Sequence, residues 1–121
     1  MNKIVIRGHD FDLGVFDLDE TKRRAELEAA LGGKLGALDL ANNPTYEGMV
    51  QVYEELVLFF DGVLGAGSLD VILDGKHDVA DALDAYYDLR DALLEASIAR
   101  ATQIAMRAKL PEKYRLDRVR K

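Results

Sequence analysis

Pro44-Thr45-Tyr46-Glu47-Gly48-Met49-Val50-Gln51-Val52-Tyr53-Glu54-Glu55-Leu56-Val57-Leu58-Phe59-Phe60-Asp61-Gly62-Val63-Leu64 is the stretch that decides the fold. Tyr46, Met49, Val50, Tyr53, Leu56, Val57, Phe60, Val63 and Leu64 recur at intervals of three and four, one face of an α-helix. Asn43 before Pro44 reads as its start, because asparagine accepts from the first free amides and proline suits the first helical position. Val52, Leu58 and Phe59 add apolar area beside the main stripe. A helix this apolar is either central to a core or lies against a second polypeptide.

Outward from it, Gly65-Ala66-Gly67-Ser68 breaks the helix, and Ser68 can cap a short turn over Leu69–Leu73. Asp78 then caps a long helix expected over Val79 to Ala108 and stopped by Pro111. Its stripe reads Val79, Leu83, Tyr86, Arg90, Leu93, Leu94, Ser97, Ile98, Ala101, Ile104 and Ala105, with alanines beside it for close helix approach. Toward the N-terminus, Asp17 or Asp19 caps a helix over about Glu20–Leu31, which Gly32-Gly33 should end or kink. Leu35–Leu40 would add a further turn. Before that, Lys3–Arg7 and Phe11–Phe16 flank Gly8-His9-Asp10, two short runs around a glycine turn that read as a hairpin. A hairpin alone is marginal in water, so it must lie on the helices. The expected fold is α+β and mostly α: an N-terminal β-hairpin packed on a bundle of three or four helices.

The chain has 121 residues, enough for one core, and no repeat or linker divides it. Residues 1–108 are expected to form a single helical domain, followed by a basic C-terminal tail, 109–121. With no cysteine there are no disulfides, thiolate metal sites or cysteine nucleophiles. No run approaches a membrane span, and the Met1–Arg7 segment lacks the apolar block of a secretory signal. A cytoplasmic protein is the expectation.

The net charge of −6 is unevenly placed. Residues 1–106 hold nine bases and twenty acids, whereas 107–121 hold seven bases and two acids. An acidic body repels nucleic acid, since phosphate binding depends on Lys and Arg displacing counterions. Arg107, Lys109, Lys113, Arg115 and Arg118 could still act as a basic arm, so a small regulatory nucleic-acid binder is the alternative reading. With only Tyr114 to stack bases, nucleic acid is not the favoured partner.

Chemistry-bearing patterns are sparse. Gly62, Gly65 and Gly67 follow a helix in the wrong order for a dinucleotide fingerprint, and read as a helix end and turn. Asp81, Asp84, Asp88, Asp91 and Glu95 share a helical face, where they could bind a hard cation but more simply form a solvated surface. His77-Asp78 is half of a metal or catalytic pair at most, and neither Ser68 nor Ser97 sits in a nucleophile elbow. No enzyme, metal or cofactor is expected. Phe59 and Tyr87, outside the main stripes, are candidates for an interface, since aromatic residues concentrate at interface centres.

A resemblance adds to this. Phe16-Asp17-Leu18-Asp19-Glu20-Thr21 opens a charged helix, and another helix ends in Leu58-Phe59-Phe60-Asp61-Gly62-Val63-Leu64-Gly65-Ala66-Gly67. Leu69-Asp70-Val71-Ile72-Leu73-Asp74-Gly75-Lys76-His77-Asp78 and then Ala82-Leu83-Asp84-Ala85-Tyr86 follow. This order, over most of residues 1–108, resembles small proteins of tailed bacteriophages and prophages that are similar to tail assembly chaperones. The resemblance implies a non-enzymatic protein that binds the tape-measure protein and tail-tube subunits during tail morphogenesis. It supplies no catalytic or ligand residue. In that setting the apolar face around Val52, Phe59 and Tyr87 would bind a client or a second copy, and the basic tail would meet another tail component.

Overall fold

A computed structural model describes the backbone of residues 2–42 and 44–119 and the side chains of residues 3–42 and 44–108. The element order is β1 (Asn2–Ile6), β2 (His9–Leu13), α1 (Leu18–Leu38), α2 (Tyr46–Leu64), α3 (Ser68–Ile72) and α4 (Val79–Val119). This is the expected α+β, mostly helical architecture with its N-terminal hairpin.

The strands pair antiparallel, with Ile6 opposite His9 and Ile4 opposite Phe11. The loop is therefore only Arg7-Gly8, shorter than Gly8-His9-Asp10, and the second strand begins at His9. Both loop residues have positive φ, 51° and 85°, which matches the twist of a two-residue hairpin turn. Alternation puts Ile4, Ile6 and Leu13 inward and leaves Lys3 and Val5 outside. The hairpin rests on α4, where the Arg7 guanidinium donates to the Asp81 carbonyl at 3.3 Å.

Asp17 caps α1 by accepting from the Glu20 amide at 2.9 Å. The helix does not end at Gly32-Gly33 but continues through them to Leu38. Glycine costs a helix about 1 kcal/mol relative to alanine. Burial of Leu31 on α2, with Leu27, Leu35 and Leu38 packed against the core, outweighs that cost. A Cβ at Gly32, Gly33 or Gly36 would meet nothing within 4 Å. At Gly62, inside α2, it would lie 2.6 Å from Leu27 Cδ1, so there the end of the Leu27 side chain would have to shift. Gly33→Ala is thus expected to stabilise the fold by about 0.5–1 kcal/mol. Gly62→Ala should give no gain or a loss, because the overlap opposes the same helix-propensity benefit. Thermal unfolding of the two variants checks the difference in sign.

The cap of α2 is Thr45, whose hydroxyl accepts from the Gly48 amide at 3.1 Å, and Pro44 precedes the helix instead of opening it. The Asn43 start lies outside the described residues. Gly65 ends α2 and Gly67, with φ of 77°, precedes α3. Ser68 is the first residue of α3 and not its cap: its buried hydroxyl donates to the Phe60 carbonyl at 3.0 Å, tying α3 to α2. Asp78 accepts from the Asp81 amide at 2.9 Å, the cap expected for α4. The backbone of α4 does not stop at Pro111 but stays helical to Val119. Proline removes only its own amide bond and crowds one carbonyl of the preceding turn, so good helix formers on both sides can carry a helix across it.

The core gathers Ile4, Ile6 and Leu13 of the hairpin, Leu31 of α1, and Leu56, Phe60 and Val63 of α2. Leu69 and Ile72 of α3, Leu73 after it, and Ala82, Ala85, Tyr86 and Leu89 of α4 join it, as do Val52 and Phe59 of α2. α2 is central and is packed by α1, α3, α4 and β2.

Candidate functional site

Most of the apolar surplus of α2 turns out to be enclosed by the chain itself. Val52 is 2% exposed and Phe59 5% exposed, so neither offers a surface to a partner. Phe59 instead packs edge-on against Phe60 and Tyr86, at centroid separations of 5.9 and 5.3 Å. Leu58 alone of the three supernumerary residues stands in solvent, at 61%. The buried arc is rotated toward Val52 and Phe59, and in the first turn of the helix Tyr46 and Met49 are exposed. The physical reason is that neighbours flank α2 on several sides and cover an arc wider than one stripe.

The unpartnered apolar surface lies on α4. Among the described residues, it packs on the body through its N-terminal part, with Ala82, Ala85, Tyr86 and Leu89 buried and Ala92, Leu93 and Ala96 partly buried. Leu94, Ile98, Ala101, Ile104 and Ala105, expected in the packed stripe, are exposed. Tyr87, Leu94, Ile98, Ala101, Ala105 and Ala108 follow one another at heptad spacing, and each is exposed. At 100° per residue they form a line nearly opposite the Ala85–Leu89 contact. Tyr87 at 56%, Leu94 at 61% and Ile98 at 58% are the large members of that line. Of the candidate partner residues, Tyr87 and Arg107 are therefore on the surface. The side chains of Lys109, Lys113, Arg115 and Arg118 lie outside the described residues.

A polar cluster links α4 to α1. The Tyr86 hydroxyl donates to Glu28 Oε1 at 3.1 Å, and Arg90 Nε reaches the same oxygen at 3.1 Å. Burial, then the hydrogen bond and charge of Glu28, push the Tyr86 hydroxyl above its ordinary value of 10.0, while Arg90 pulls it down. The folded state therefore holds a proton that the unfolded chain releases first, and stability must fall as pH rises through the folded-state value. The stabilisation is complete below the unfolded value of 10.0. Urea unfolding along an alkaline series should show this decline, and Tyr86→Phe should flatten part of it.

Among the described residues, the two histidines each face a single carboxylate. His77 faces Asp70 at 3.7 Å and the Tyr53 ring at 5.7 Å. His9 faces Asp74 at 3.3 Å. Asp84, Asp88, Asp91 and Glu95 are exposed, and among the described residues no three carboxylate or histidine side chains are grouped for a metal ion. An open groove of about 420 Å³ beside the start of α2 is lined mainly by Tyr46, Met49, Val50, Tyr53, His77 and Val79. No helix among the described residues is long and apolar enough to cross a membrane.

Fold and surface together define a small, mostly helical α+β domain whose last helix extends an exposed apolar line beyond the body. The chain belongs to a family of unknown function, DUF6673, whose model matches residues 7–121. No curated protein and no solved structure matches it.

Proposed function

We propose that this protein is a non-enzymatic assembly chaperone of a phage tail, working in the cytoplasm of a bacterial host and binding the tape-measure protein, tail-tube subunits or both. The observation that carries the binding role is the exposed line Tyr87–Leu94–Ile98 on the outward face of α4. Apolar residues aligned on a projecting helix have an evident use when another polypeptide covers them. A tape-measure protein offers long amphipathic helices, which lay an apolar face against such a surface. The acidic body keeps a protein with this exposed surface soluble. The sequence resemblance to tail assembly chaperones supplies the particular client.

Co-expression with the tape-measure product encoded beside the gene is the test. Soluble tape-measure protein that co-purifies with this chain is the expected result, and Leu94→Glu should abolish it. A tape-measure product that stays insoluble with the wild-type chain, or a gene with no tail genes beside it, overturns the reading.

A further inference from the structure

The charge along α4 names an occupant for its apolar line. Residues 79–95 hold five acids and one base, whereas 96–119 hold six bases and two acids. The helix is thus acidic over one half and basic over the other, and continuous over 41 residues, about 60 Å at 1.5 Å per residue. The surface most complementary to it is the same helix running the other way. We infer that a second copy of this chain covers the outward face of α4, the two α4 helices packing antiparallel about a two-fold axis near residues 98–101.

This inference rests on the reading of that face as a binding surface and specifies what covers it when no client is present. The register follows from side-chain size. Setting position 94 opposite 105 and 98 opposite 101 places Leu94 against Ala105 of the second copy and Ile98 against Ala101. Large against small lets helix axes approach at the short end of the roughly 8–10 Å range. The same register sets position 84, an aspartate, opposite position 115 of the second copy, an arginine, and position 88, also an aspartate, between positions 109 and 113, both lysine. Asp91 comes opposite Ala108, between Arg107 and Lys109. A parallel pair would instead stack acid on acid and base on base. Because the line faces away from the Ala82, Ala85 and Leu89 contact, the two bodies lie on opposite sides of the helix pair and do not collide.

The full-length chain contains no cysteine, so single cysteines report the register directly. Leu94→Cys and Ala105→Cys chains are purified separately, then oxidised alone and mixed. The expected result is a disulfide only in the mixture, joining one chain of each kind. Cross-linking of Leu94→Cys to itself and of Ala105→Cys to itself would mean a parallel pair and overturn the proposal. Sedimentation velocity of the cysteine-free chain should show a monomer–dimer equilibrium that weakens as salt is raised. Ile98→Glu should weaken it at least about tenfold, with an unchanged circular-dichroism melt at concentrations where the parent chain is monomeric, since Ile98 is exposed. A chain that is monomeric at every concentration overturns the inference, and it leaves the chaperone reading standing if the tape-measure product is still kept soluble.

Discussion

Replacing Phe60 with alanine is expected to cost about 3–5 kcal/mol, the usual penalty for emptying a buried phenylalanine site. Phe60 is 0% exposed, on the central helix and among hairpin, α3 and α4 side chains. The cavity is hard to collapse because rigid elements wall it: the Ser68 hydroxyl fastens α3 to the Phe60 carbonyl, and α1 grips the other side of α2. Since a domain of this size has roughly 5–15 kcal/mol in total, the variant should be near its unfolding threshold at physiological temperature. Leu58, two residues away, makes the control. Its side chain stands in solvent, so Leu58→Ala should stay within about 0.5 kcal/mol of the parent. Denaturant melts of the two variants read out which arc of α2 is inside. Equal losses would mean that the helix is rotated from the position described.

Ala85→Leu is expected to destabilise by about 1–3 kcal/mol, from overpacking instead of loss of contact. Ala82 and Ala85 are both 0% exposed where α4 crosses the body, and Leu89 continues the same contact. Helix propensity barely distinguishes alanine from leucine, so a loss here reports the closeness of the crossing alone. Ala101→Leu is the matched control, because Ala101 is exposed on the outward side of the same helix. It should leave the unfolding free energy of the isolated chain almost unchanged. Chemical denaturation at low protein concentration separates this from any effect on association.

These variants mark the boundary between what was legible in the sequence and what was not. The long α2 and α4 patterns, the Asp78 cap and the glycine break after α2 were readable, and the α1 cap was narrowed to Asp17 or Asp19, because capping and amphipathic periodicity are local properties. Of the two readings of Gly32-Gly33, an end or a kink of the helix, the end failed because a local cost was set against a tertiary gain, the packing of Leu31, Leu35 and Leu38. The candidate surface was misplaced for a related reason. Val52 and Phe59 are surplus to one stripe, but a helix flanked on several sides has no single stripe. Tyr87 was the signal available for the true exposed line, and its heptad partners Leu94 and Ile98 were read as packed because the extent of the body was not known.

From its residue order alone, this protein's element sequence, its mostly helical class and the absence of thiol chemistry were settled, because turns, caps and apolar spacing act within a few residues. Tertiary structure alone decided which arc of each helix is hidden. Apolar residues occupy well over half the circumference of α2, and along α4 they run past the end of the body. Periodicity says that such a helix has an inside, but only the positions of the neighbouring elements say where that inside ends.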